Sequence, residues 1–188
     1  MPKGFYFLIG AQFASALADN ALLILGIYFL SEQGYPGWWA PLLKFSLTLA
    51  YVVLASVVGP VADAFHKRRL MAVMNALKML GVFFLLSGAH PVVAFAVIGL
   101  AASVYAPSKY GLLTETVPGH MLVRANAWLE VSVVLSVIFG IALGGALTGV
   151  SETAAKIDFS WMSLLGINVG VTTQTLPAMA VVLCIYLI

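Results

Sequence analysis

Apolar residues in this chain come in long unbroken blocks, not at the three-and-four spacing of a helix with one wet face. A helix needs about 20 such residues to cross the hydrocarbon core of a bilayer. Residues 5–30 supply 26 positions with a single charge, Asp19, and residues 40–61 carry only Lys44, near their start. Residues 70–88 carry only Lys78, residues 92–107 no charge, and residues 125–149 only Glu130. Each block is bounded by turn chemistry: SEQGYPGWW over 31–39, a tight loop over 63–69, Ala89-His90-Pro91, and a polar connection over 108–124 holding Lys109, Glu115, His120 and Arg124. Residues 151–175, with Trp161 and a Thr/Gln cluster, read as amphipathic or looped. The last apolar run, 178–188, is half a span long, and backbone polar groups are not left unpaired in lipid. The expectation is an all-α polytopic membrane protein with five full spans and the start of a sixth, truncated one, the remainder lying beyond the 188 residues.

Composition supports this solvent. The chain is 62% hydrophobic and 9% charged, whereas a soluble domain carries roughly 25% charged residues. A net charge of +2 with no Arg/Lys stripe excludes a nucleic-acid partner. Cys184, the single cysteine, gives neither a disulfide framework nor a thiol metal site. His66, His90 and His120 fall in different loops, so no metal site is implied. No nucleophile-elbow, P-loop, zinc-protease or dinucleotide motif occurs, which argues against an enzyme. The first apolar stretch is too long for a cleavable leader and reads as a retained signal-anchor helix.

Lys and Arg in short loops set orientation. Lys3, Lys67, Arg68, Arg69, Lys109 and Arg124 lie on one side, and Lys44 and Lys156 on the other, six against two. The N-terminus is therefore expected in the cytoplasm, with Tyr35, Trp38 and Trp39 in the outer interfacial belt.

Ionisable residues at membrane depth are costly, on the order of 3 kcal/mol on insertion scales, and mark polar cavities and function. Asp19 is the fifteenth of 26 residues in the first block, near mid-depth, and shares a helical face with Gln12 and Ser15, with Asn20 beside it. The competing reading is a structural hydrogen bond to a neighbouring helix. Lys78, with Asn75 three residues before it, either meets a carboxylate in the bundle or snorkels to the near interface. Glu130 reads as a structural partner of the basic connection before it. Ser132, Ser136, Gly140 and Gly144 place a small residue at every fourth position, with Gly145 and Gly149 following, a pattern that lets helices pack closely.

The run Gly59-Pro60-Val61-Ala62-Asp63-Ala64-Phe65-His66-Lys67-Arg68-Arg69 resembles the signature loop of the major facilitator superfamily: a Gly, three residues, an Asp, then a basic cluster. Gly59 would permit close helix approach, Asp63 would pair with a base or a helix N-terminus, and the basic cluster would anchor the turn at the anionic inner leaflet. Ala64 and His66 depart from the pattern. Gly59, Asp63, Lys67 and Arg68 are expected to govern conformational switching rather than substrate contact. The Gly pattern of the fifth block lacks the Pro of the superfamily's signature there.

Within that superfamily the chain resembles the bacterial lysophospholipid transporter (LplT) family. The resemblance runs over about residues 5–150 and rests on AQFASALADNALL at 11–23, VGPVAD at 58–63, NALKMLG at 75–81, YAPSKYG at 105–111 and ANAWLE at 125–130. It implies the N-terminal half of a twelve-helix fold, the second half absent from this sequence. It implies, too, inward movement of lysophosphatidylethanolamine-type lipids across the bacterial inner membrane. A partner or fused acyltransferase/acyl-carrier-protein synthetase and a site between the two halves follow from the same resemblance. For such a zwitterionic head group Asp19, with Asn20 and Gln12, would meet the ammonium, and Lys109 would be a cytoplasmic-side phosphate partner. No cofactor is expected, and a coupling cation, sodium or proton, stays open. Two alternatives remain: an ion-coupled facilitator of a polar solute or drug, and a membrane scaffold without transport.

Overall fold

The computed structural model describes residues 2–87, 89–154 and 171–187, and every regular element among them is helical. The order is α1 (Lys3–Glu32), α2 (Trp39–Ala64), α3 (Lys67–Leu86), α4 (Pro91–Thr116), a 3-10 turn (Gly119–Met121), α5 (Leu122–Ala154) and α6 (Val171–Tyr186). Five of these helices are long and apolar enough to cross a membrane, making this a multi-pass membrane protein. The stretch read as amphipathic or looped lies outside the described residues over 155–170, as does Lys156; its two ends belong to α5 and α6.

The ends of α1 and α2 show how turn residues set the outer connection. Gly34, at φ +74°, adopts the left-handed conformation that ends α1. The Gly34 N–H then bonds the Ser31 carbonyl at 3.0 Å and the Tyr35 N–H the Leu30 carbonyl at 3.1 Å, a Schellman closure. Tyr35 and Trp39 pack edge-on at 5.1 Å, and His90, ahead of α4, joins them at 5.7 and 5.1 Å. Trp38 stacks on Trp39 and stays exposed.

Two further expected boundaries move. The polar connection over 108–124 is helical to Thr116, so Lys109 and Glu115 ride on α4. Pro107 stops nothing: a proline inside a membrane helix is tolerated where freed backbone groups find other partners. The polar residues after it bond back onto their own helix, Ser108 Oγ to the Val104 carbonyl, Thr114 to Gly111 and Thr116 to Leu112, at 2.7–2.8 Å. Likewise α2 continues past Pro60 to Ala64, and only Phe65 and His66 separate it from α3. Gly59 and Asp63 thus lie on the last turns of α2, and Lys67 and Arg68 on the first turn of α3.

Packing follows small residues. A Cβ added at Gly140 would sit 2.7 Å from the Leu17 carbonyl oxygen, and one at Gly144 2.8 Å from Ile24 Cβ. The two contacts advance together along both chains, so α5 runs parallel to α1 and touches its backbone. Ser132 and Ser136 of the same stripe are buried, while Gly145 faces open space. Gly99 brings α4 equally close to Leu47 of α2. Gly4 meets Thr116 while Gly26 meets Phe95, so α1 and α4 run antiparallel. The principal contacts pair α1 with α5 and α6, and α4 with α2 and α3. Exchanging α1 with α4, α2 with α5 and α3 with α6 reproduces this scheme, the arrangement of two inverted three-helix repeats. Gly59 is the exception among the expected packing residues: it is exposed and has no neighbour, because this part of α2 faces outward.

The core divides in two. One apolar cluster gathers Leu22, Leu25, Phe29, Leu43, Val82, Phe95, Ile98, Met179 and Val182; the other gathers Phe5, Leu8, Met71, Tyr105, Leu113 and Leu129. On α1 and α3 the residues between these clusters are Gln12, Ser15, Asp19, Asn75 and Lys78. The polar side chains therefore form a layer at mid-height of the bundle.

Candidate functional site

Lys78 is among the most deeply enclosed side chains, 1% exposed. A buried ammonium needs a counter-ion and further acceptors, and α1 provides them. Lys78 Nζ lies 2.6 Å from Asp19 Oδ2 and donates to Ser15 Oγ at 2.9 Å. Ser15 in turn donates to Asn75 Oδ1 at 2.9 Å, one turn from Lys78 on the same face of α3. The second carboxylate oxygen of Asp19 accepts the Tyr186 hydroxyl at 2.6 Å, which ties α6 to the same point. Lys78 Nζ also sits 4.8 Å from the Tyr105 ring centroid and 5.7 Å from that of Tyr186, within cation–π range. Three helices thus meet at one carboxylate, and a fourth, α4, faces its partner ammonium through Tyr105. The Asp19 side chain is 29% exposed against 2% for Lys78, so the pair is open on its acidic side.

Of the two readings of Lys78, the structure shows the ion pair, not snorkelling. Gln12 is buried on the same face of α1. Asn20 is not part of the group: its amide donates to the Ala16 carbonyl at 2.8 Å on its own helix, beside the Gly140 contact with α5. Lys109 stands apart on α4, its Nζ 5.0 Å from the Tyr110 ring centroid and in no ion pair among the described residues. Glu130 accepts the Tyr110 hydroxyl at 2.7 Å. Its partner, Tyr110, lies in the stretch read as the basic connection, which α4 carries alongside α5.

At the N-terminal end of the bundle Lys67 pairs with Glu115, closing α3 onto α4. Asp63 is exposed and forms no ion pair among the described residues. A basic cavity of about 930 Å³ opens here between Asp63, His66, Lys67, Arg68, Arg69 and Glu115. An apolar cavity of about 520 Å³ lies above it between α1, α3 and α4, with Arg68 among its walls and Asn75, Tyr105 and Tyr186 bordering the polar layer.

Sequence reasoning missed Tyr186 and Tyr105. A tyrosine inside an apolar run is itself a signal, since its hydroxyl wants a partner when buried. Which partner depends on helix packing that no local pattern encodes. Among the described residues no group of three or more His, Cys, Asp or Glu side chains is placed to hold a metal.

Comparison with known proteins agrees with the fold. Three similar proteins are each named Lysophospholipid transporter LplT. The one from Cronobacter sakazakii is 42% identical over 145 residues, covering 77% of this chain and 36% of the relative. Those from Citrobacter koseri and Photorhabdus laumondii are each 40% identical, over 82% and 79% of this chain and 39% and 37% of the relatives. The chain thus spans a little over a third of the length of these relatives. The family model described as Major Facilitator Superfamily matches residues 5–185. With that match across nearly its whole length, and a bundle of two inverted three-helix repeats, the chain belongs to the Major Facilitator Superfamily.

Proposed function

We propose that the full-length protein moves lysophospholipids of the lysophosphatidylethanolamine type across a bacterial inner membrane by alternating access, with its N-terminus in the cytoplasm. The observation that carries this reading is the mid-height Asp19–Lys78 pair, partly open on the carboxylate side, in a chain similar to proteins named for lysophospholipid transport. A zwitterionic head group needs an anion for its ammonium and a cation for its phosphate. Asp19, with Gln12 on the same face, is the anion; Lys109, uncommitted to a carboxylate, is a phosphate partner nearer the cytoplasm. Movement comes from rocking two halves about a midplane site, and no cofactor takes part. Gly59, Asp63, Lys67 and Arg68 act in switching, a role supported by the Lys67–Glu115 tie between α3 and α4 at the end of the bundle far from Asp19. An acyltransferase/acyl-carrier-protein synthetase, as partner or fusion, would consume the imported lipid, and a coupled cycle would use sodium or a proton.

One observation favours a second reading, a non-transporting scaffold: both oxygens of Asp19 are engaged within the bundle. Uptake of radiolabelled lysophosphatidylethanolamine by proteoliposomes holding the full-length protein separates the two. Protein-dependent accumulation of the lysolipid, not matched by a labelled sugar or amino acid, is the expected result. Accumulation no faster than in empty liposomes contradicts transport, and uptake of the polar solute alone assigns the protein to the polar-solute class.

A further inference from the structure

The counter-ion of Asp19 is already in place, and that shapes what the site will accept. An added monovalent cation would have to evict Lys78 from the carboxylate, leaving the ammonium of a side chain only 2% exposed without a counter-charge. A zwitterion carries the remedy with it, because its phosphate pairs the ammonium that its own ammonium has displaced. The surroundings suit such an exchange. Asp19 is held by the Tyr186 hydroxyl on its other oxygen, so the carboxylate stays fixed while the flexible four-carbon stem of Lys78 moves. The Tyr105 and Tyr186 rings flank the ammonium along that movement. The Tyr105 hydroxyl is buried and meets no acceptor with hydrogen-bond geometry among the described residues. Its neighbour is Ser15, whose own hydroxyl is committed to Asn75 and Lys78, so the phenol is a donor beside the pair of the kind a phosphate oxygen would satisfy.

We propose that Lys78 is the second half of the head-group site: the zwitterionic head inserts into the Asp19–Lys78 ion pair, ammonium to Asp19 and phosphate to Lys78, with the Tyr105 hydroxyl as a further phosphate donor. This rests on the lysolipid reading above, gives the phosphate to Lys78 at mid-height and to Lys109 only nearer the cytoplasm, and adds a selection rule to that reading. Charges are conserved, one ion pair opening as two form, so the resting bundle keeps no unpaired charge. A cation lacking a phosphate gains nothing from the exchange.

The test uses full-length protein in proteoliposomes and two probes of equal chain length, lysophosphatidylethanolamine and lysophosphatidylglycerol, the second having the phosphate without the ammonium. Lys78→Met is expected to lower uptake of both by about tenfold or more, the size of a lost charge-assisted hydrogen bond. Asp19→Asn, normalised to folded protein, is expected to lower lysophosphatidylethanolamine uptake similarly and lysophosphatidylglycerol uptake much less. Tyr105→Phe should weaken both probes to a smaller degree. Because single variants strand a charge, the doubly neutral Asp19→Leu/Lys78→Met protein serves as the folded control; monodisperse and inactive toward both probes, it supports the exchange. Wild-type uptake by that double variant, or by Lys78→Met, overturns the proposal and leaves lysolipid transport standing. Equal loss of both probes in Asp19→Asn also overturns it, making the pair a strut. No uptake of either probe by the wild-type protein removes the transport reading and this inference together.

Discussion

Removing one charge of the Asp19–Lys78 pair does not cost the same from either side. Asp19→Asn leaves a sealed ammonium, and breaking a buried pair in this way costs about 3–5 kcal/mol. Lys78→Met leaves a carboxylate that is 29% exposed and still accepts the Tyr186 hydroxyl, so its cost is smaller. Replacing both by apolar residues recovers most of the loss. Thermal unfolding of the purified variants in detergent checks the order, Asp19→Asn least stable, then Lys78→Met, then the double variant; equal losses that simply add would contradict it. At this scale the sequence was informative about which residues matter and silent about how they pair. Asp19, Gln12, Ser15, Asn75 and Lys78 stand out because charged and polar groups in apolar helices need a reason. That Lys78 meets Asp19 and Tyr186 closes on it depends on the rotation of three helices about their axes. Asn20 turns away from the group for a physical reason: an amide in a helix can bond its own backbone four residues back, as it does to Ala16.

At the level of helices, apolar block length made the five spans legible, and the charged and polar residues that bounded the blocks misplaced some of their ends. Pro60 and Pro107 each sit inside a helix that runs on past the apolar block, so the signature residues Gly59 and Asp63 are helical and Lys109 is on α4. The small-residue stripe of α5 was legible because close approach needs small side chains wherever the partner lies. Gly140→Leu or Gly144→Val should therefore push α5 off α1, costing at least the 1–3 kcal/mol typical of overpacking. Gly145→Ala, with open space around it, should leave the unfolding temperature unchanged or slightly higher. If the three variants behave alike, the α1–α5 contact is wrong. The Lys67–Glu115 tie is exposed, and such pairs add little to stability. Glu115→Gln should leave unfolding nearly unchanged while altering turnover, and Asp63→Asn should slow turnover with substrate affinity nearly intact; a large affinity loss at unchanged turnover would place these residues in the binding site instead.

Over the whole molecule, inverted repeats put Asp19 and Lys78 at mid-height, where a transporter that opens alternately to each side keeps its site. Orientation is a separate matter, carried by the six-to-two bias of Lys and Arg. Single cysteines at Gln33 and His120 in the full-length protein, probed on intact cells with an impermeant thiol reagent, should label at 33 and not at 120; the reverse overturns the orientation. The repeat relation itself was not legible, since the two triplets share packing positions and not a visible sequence pattern. The most direct test of the account is lysophosphatidylethanolamine uptake into spheroplasts by the Asp19 variants of the full-length protein, normalised to folded protein in the membrane. Asp19→Asn keeps size and hydrogen bonding but removes the charge, and Asp19→Glu keeps the charge at a shifted position. The account predicts strong loss in the Asn variant and partial activity in the Glu variant; wild-type uptake by Asp19→Asn would show that the charge at mid-height plays no part in transport.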